Sequence, residues 1–271
     1  MQAELQENKA AAGLILKILT GILIVMFPFG FIIMFTEFGS RFLWTTTIFL
    51  GLEALITFII LTKLADLLSV VITTAVIFMA SWFIEYWGVT TGFPFGSYSY
   101  SGILSPHIGG VPLAIMFAWF TLSSCSLLAA RFLLKGSSEI SAISIASVFI
   151  LAADVLLEPF AAFVNKFWLW SESAIPMQNF VSWYAIGLIF IFTFSQLIKW
   201  NNNADYSSAL YKIPVIIMLI NIVNFAVVNI FNNYITITVF GLLLFVILIL
   251  PVILIKNKKH SGSDISPGNN I

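Results

Sequence analysis

Eight runs of about 20 apolar residues, divided by short polar or Gly/Pro-bearing breaks, constrain this chain before any single residue does. A helix of that length matches the roughly 30 Å hydrocarbon core of a bilayer. The runs fall at roughly 11–35, 42–62, 65–86, 109–134, 140–165, 179–199, 212–231 and 234–255. Of the 271 residues, 60% are hydrophobic and 9% charged, with a mean hydropathy of +1.04. Soluble domains carry about 25% charged residues. The expectation is an all-α, polytopic transmembrane bundle of about eight spans, forming one domain over residues 1–255. Residues 256–271, KNKKHSGSDISPGNNI, read as a polar, disordered cytoplasmic tail. The first apolar run is too long for a signal-peptide core and lacks a small-residue cleavage site, so it reads as a retained helix.

Lys and Arg set the expected orientation. With the N-terminus in the cytoplasm, that side holds Lys9, Lys63, Arg131, Lys135, Lys199, Lys212, Lys256, Lys258 and Lys259. The other side holds only Arg41 and Lys166, and Lys17 can snorkel to the cytoplasmic surface. Both termini are then cytoplasmic. A formal net charge of zero excludes a basic nucleic-acid surface. The single cysteine, Cys125, sits in an apolar run and excludes a disulfide framework.

One connector stands apart. From Glu85 to Trp119 the chain reads EYWGVTTGFPFGSYSYSGILSPHIGGVPLAIMFAW, with no Lys or Arg. A stretch so aromatic and so rich in Gly and Pro reads as a folded cap on a site, facing away from the cytoplasm together with the loop 166–178.

Four acids fall inside the spans: Glu53, Glu85, Asp154 and Glu158. Intramembrane carboxylates are costly and usually face the bundle interior. Glu85, Asp154 and Glu158 share one depth in the outer half, and the spacing of Asp154 and Glu158 puts both on one helix face. Two acids one turn apart in apolar surroundings cannot both ionise cheaply, so one keeps its proton and can act as a general acid. The bland alternative is protonated acids that only cross-link helices; it is the preferred reading for Glu53, whose pairing with Lys17 has no support. Pro159 should kink the fifth span and free a carbonyl. His107, in the loop before Gly109-Gly110, reads more readily as a hydrogen-bonding residue than as a catalyst. No Cys/His cluster offers a metal, haem or iron–sulfur site, and no glycine-rich run has the Lys of a phosphate loop. Trp168, Trp170, Trp183 and Tyr184 suit either an interfacial belt or a ligand groove. Asn179 and Trp183, four apart, can face one pocket.

The string GVTTGFPFGSYSY at 88–100, then GGVPL at 109–113 and Trp119, resembles the carotenoid 1′,2′-hydratase family of integral membrane proteins. So do Asp154, Glu158-Pro159, the WLW of 168–170 and IPMQNF at 175–180 followed by Ser182-Trp183. The blocks cover about a third of the chain. The chain departs from the pattern at Ser173-Ala174, where an aromatic and a Gly often stand. The resemblance implies acid-catalysed addition of water to the acyclic end of a carotene, with no cofactor and no metal. The acids themselves supply a mechanism compatible with this resemblance, with Glu85, Asp154 and Glu158 as the catalytic residues, Asp154 or Glu158 as proton donor and Glu85 as partner and water-positioning base. The resemblance implies a substrate site from Gly92, Phe93, Pro94, Phe95, Gly96, Tyr98, Tyr100, His107, Pro112, Trp119, Trp168, Trp170, Asn179 and Trp183. The implied partners are the bilayer, a lipophilic carotenoid, water and other carotenoid biosynthesis enzymes, in a bacterial-type inner membrane.

Two other classes share these acids. A lycopene-cyclase-like enzyme captures the same cation with an alkene rather than water. A proton-coupled transporter or apolar-ligand carrier would favour inverted repeats and helices broken at mid-membrane, and neither is visible.

Overall fold

In the computed structural model, residues 2–134, 138–201 and 209–247 are described, excluding the side chains of residues 2–12 and 209–211. Among the described residues, seven helices are long and apolar enough to cross a membrane, and the chain is an integral membrane protein. The long helices are α1 (Gln2–Phe35), α3 (Thr45–Leu64), α4 (Leu67–Thr91), α5 (Leu113–Leu133), α6 (Glu139–Glu158), α7 (Met177–Leu197) and α8 (Ala209–Phe231). A one-turn α2 (Glu37–Ser40) follows α1. The expected eighth span begins as a shorter apolar helix, Ile235–Ile247; residues 248–255 and the tail 256–271 lie outside the described residues.

Helix α5 is the axis of the bundle. It buries fourteen of its residues, among them Trp119, Phe120 and Cys125, against α3, α4, α6 and α8. Its sequence is suited to that place. Small residues (Ala114, Ala118, Ser123, Ser124, Cys125, Ser126, Ala129, Ala130) let neighbouring helices approach where lipid cannot supply a hydrophobic drive. Helix α1 lies at the edge, with most of its large side chains exposed.

Local chemistry sets the ends that matter. Asp66 caps α4, its Oδ2 accepting from the Ser69 N–H at 2.9 Å. At its other end α4 runs to Thr91, past the expected stop near residue 86. Gly92 ends it in the left-handed region at φ 76°, the usual glycine stop for a helix. Glu85 is therefore inside a helix rather than at the head of the connector, and the loop proper is residues 92–112. Beyond Glu158, α6 runs into Pro159, where the sequence leads one to expect a kink. It widens into a π-helical turn, Pro159–Val164, closed by the Asn165 N–H donating to the Phe160 carbonyl at 3.1 Å.

The two loops at this end of the bundle meet as strands, which a purely helical reading does not anticipate. β1 (Tyr98–Tyr100) pairs antiparallel with β4 (Trp168–Trp170), in the register Tyr98↔Trp170, Ser99↔Leu169 and Tyr100↔Trp168. A second small ribbon joins β2 (His107–Ile108) to β3 (Val111–Pro112). Because side chains alternate across a strand, Ser99 and Leu169 point outward while the four aromatic residues face the helices. The Pro94 carbonyl fastens the first loop to α7, accepting from Gln178 Nε2 at 2.6 Å and Ser182 Oγ at 2.7 Å.

Asp66→Ala removes the cap on α4 and should lower stability by about 1 kcal/mol, while Asp66→Asn should stay close to the parent. Thermal unfolding in detergent measures both, and equal midpoints for all three proteins would refute the cap's role.

Candidate functional site

Two carboxylates face the strand pair from the ends of two helices. Glu85 of α4 accepts three hydrogen bonds: from Tyr98 Oη at 2.7 Å and Tyr100 Oη at 2.6 Å on Oε2, and from Trp119 Nε1 at 2.9 Å on Oε1. Glu158 of α6 also accepts three: from Trp168 Nε1 at 3.3 Å and Trp170 Nε1 at 3.0 Å on Oε2, and from Asn179 Nδ2 at 2.9 Å on Oε1. An indole N–H can only donate. Three of the six bonds thus require an acceptor at the carboxyl.

The ladder distributes these donors by strand. The inward residues of β1 serve Glu85 and those of β4 serve Glu158. Burial, and then the charge of Glu85, pushes the Tyr98 and Tyr100 hydroxyls well above the usual phenol range. Both hydroxyls stay protonated and remain donors.

Asp154 lies one turn behind Glu158. Its Oδ2 accepts from the same Asn179 amide at 3.4 Å, and its Oδ1 has no partner among the described residues. Asn179 thereby bridges the two acids of α6 from α7.

Below the strands lies a mostly apolar cavity of about 330 Å³, at the lower end of the range for small-molecule sites, about 300–1,000 Å³. Of the residues singled out from sequence, Glu85, Glu158, Phe95, Tyr98, Tyr100, Trp119, Trp168, Trp170, Asn179 and Trp183 line it. The Trp119 and Trp183 rings stack, centroids 4.1 Å apart and planes 18° apart, as one slab of wall. Tyr184 is exposed and off the wall.

Other expected residues stand elsewhere, for identifiable reasons. Asp154 is fully buried between helices and does not reach the cavity. Gly92 stops α4, and Phe93 is 64% exposed. Pro94 is turned to α7 through its carbonyl, and Gly96 packs on Pro176. Pro112 starts α5 and pairs with His107, whose Nε2 lies 3.2 Å from the Ser101 carbonyl. These six shape the cap rather than the wall.

Glu53 is the residue that sequence reasoning set aside. It is fully buried and lines the same cavity, and Asn221 Nδ2 donates to its Oε1 at 2.9 Å. The expected cross-link is therefore to Asn221 of α8 rather than to Lys17. The signal was available: Asn221 and Asn224 are polar residues three apart inside a largely apolar span.

A family model described as carotenoid biosynthesis protein matches residues 45–248. The bisanhydrobacterioruberin hydratase of Haloarcula japonica is 28% identical over 120 residues. That match covers 42% of this chain and 41% of the relative, so less than half of either protein is compared. No solved structure matches the chain.

Gly88, one turn after Glu85 on α4, leaves room for the cap. A Cβ there would stand 2.8 Å from both the Tyr98 hydroxyl and the Phe95 ring. Gly88→Ala should push Tyr98 off Glu85 and leave a buried acceptor short of a donor, costing about 1–3 kcal/mol. A thermal midpoint in detergent equal to the parent's would contradict this.

Proposed function

The chain belongs to the carotenoid biosynthesis protein family, and on that premise we propose that it is a carotenoid hydratase. It adds water across the terminal 1′,2′ double bond of an acyclic carotenoid end group to give a tertiary alcohol. The observation that carries this reading is the pair Glu85 and Glu158, two carboxyls on the wall of one apolar, aromatic-lined cavity. The partial match to a protein named as a hydratase points the same way.

Hydration of a trisubstituted alkene needs a proton on one carbon and water on its neighbour. Asp154 and Glu158, bridged by Asn179, carry one proton between them, because two adjacent buried carboxylates repel. Glu158 faces the cavity and delivers that proton to C2′, and the π electrons of the alkene form the new C–H bond. The positive charge falls on the tertiary C1′. Glu85 is the fixed counter-charge: its three donors hold it in place before the cation forms, so no reorganisation is needed at that moment. The stacked indoles of Trp119 and Trp183 offer ring faces to the same cation. Water then bonds to C1′ and loses a proton, and the acid pair is reloaded.

A carotene is about as long as the roughly 30 Å hydrocarbon core. The polyene can lie along the apolar cavity and the bilayer while its last isoprene unit reaches the acids near one face. The setting proposed is a bacterial-type cell membrane, and the Lys/Arg distribution supports this end of the bundle facing away from the cytoplasm.

Expression in a bacterium that accumulates lycopene or γ-carotene tests the reading. Chromatography and mass spectrometry should find a more polar product, heavier by one water per acyclic end. Glu85→Gln and Glu158→Gln should each lower its yield by about 100-fold or more with membrane insertion unchanged. An isomer of unchanged mass would indicate cyclisation, and unaltered carotene beside well-inserted protein would refute the proposal.

A further inference from the structure

Glu85 has little room left for the second reactant. Its two oxygens offer about four lone pairs, and three are taken by Tyr98, Tyr100 and Trp119. The same cavity holds another set of polar atoms that are not so engaged. Glu53 Oε2, Thr121 Oγ1 and Asn224 Oδ1 are buried, line the cavity, and have no hydrogen-bond partner among the described residues. Their residues are 0%, 4% and 9% exposed. Several helical threonines in this chain fold back on the preceding turn, although Thr47 and Thr57 do not. Thr20, Thr73 and Thr74 each donate to the carbonyl four residues earlier, at 2.7–2.8 Å. Thr121 keeps its hydroxyl free.

The helix register places these three residues on neighbouring turns around one cavity. A Cβ on Gly51 would meet the Phe117 ring at 3.3 Å, and Thr57 Oγ1 lies 3.6 Å from Cys125 Sγ. α3 and α5 therefore run side by side in parallel, and Glu53 falls beside residues 119–121. Asn221 of α8 donates to Glu53, and Asn224 lies about 4.5 Å further along the same helix, toward the strand pair. Trp119, which donates to Glu85, is two residues from Thr121 on α5. The second set is thus the next layer of the cavity below the acids.

We infer that Glu53, Thr121 and Asn224 form a water subsite, holding the molecule that captures the cation, with Glu53 as its base. The assignment rests on the hydratase reading. Its bookkeeping closes. The water donates one hydrogen to Glu53 Oε2 and the other to Asn224 Oδ1, and accepts from the Thr121 hydroxyl. Buried waters typically make about three such bonds, and one lone pair remains for C1′. When that pair forms the C–O bond, the O–H facing Glu53 breaks and its proton passes to the carboxylate. The sum is alkene plus water to alcohol, with a proton leaving Glu158 and one arriving on Glu53. Exchange with solvent water then takes the proton from Glu53 and returns one to Glu158 before the next turnover. Asn221, bonded to the other oxygen of Glu53, positions the base.

Capture and protonation are separable in D₂O. A cation that meets no water reverts to alkene by losing a proton from the neighbouring carbon, leaving deuterium in the recovered carotene. The full-length protein in native membranes, given lycopene in D₂O, should show for Glu53→Gln a hydration rate about 100-fold lower with deuterium uptake into recovered carotene retained. Thr121→Val, nearly isosteric, should lose about tenfold with the same shift of the ratio, and it carries the test if Glu53→Gln fails to insert. Loss of hydration and exchange together in either inserted variant would overturn the subsite, since protonation itself would then depend on it. An unchanged ratio of exchange to hydration would overturn it as well. A parent protein that gives neither hydration nor exchange would refute the hydratase reading, and this assignment with it.

Discussion

Two carboxylates buried at one end of a helical bundle cannot be left without donors, and the architecture at that end follows from this requirement. Moving a carboxylate from water into protein costs several kcal/mol unless hydrogen bonds replace its hydration. Glu85 and Glu158 each receive three. Five of the six donor groups sit on aromatic rings. The same residues that satisfy the acids therefore also build an apolar wall, and a cavity lined this way can take a hydrocarbon without stranding its own charges.

The β1–β4 ribbon makes this arrangement possible from two loops far apart in sequence. Its period of two sends Tyr98, Tyr100, Trp168 and Trp170 to one side and leaves Ser99 and Leu169 on the other. A helix at this position would spread the four rings around its axis. The Ser101 N–H to Phe167 carbonyl and Ser171 N–H to Ser97 carbonyl bonds, both 2.9 Å, extend the pairing beyond the strands. They fix the height of the ring donors over the two helices. With Asn179 tying α7 to both acids of α6, the site is held from α4, α5, α6, α7 and both loops.

Much of the bundle is legible in the chain because apolar length alone dictates spanning helices. The breaks fall where Asp66, Gly92 and Pro112 supply the caps and stops. The acids were legible for the same reason: a carboxylate in an apolar run is conspicuous. What the linear chain hides is pairing between distant segments. YSY and WLW each show a period of two over only three residues, too short to announce strands, and their partnership spans the 67 residues of intervening chain from 101 to 167. The fate of Asp154 was hidden too. Four residues from Glu158 it shares a helix face, yet α7 covers it while Glu158 reaches the cavity. Glu53 looked isolated because its partners, Asn221 on α8 and the 119–121 stretch of α5, lie far away in the chain. His107 drew notice as a rare ionisable residue in a loop, and its ring serves the local backbone.

The central claim is that this cavity joins water to a cation made by its own acid. Turnover of an acyclic carotene by the purified protein in ¹⁸O-labelled water under air tests that most directly. The account predicts a product heavier than the carotene by one molecule of labelled water at each reacted end, with the label in a tertiary hydroxyl. A product of unchanged mass, or one whose oxygen is unlabelled and drawn from air, would contradict it.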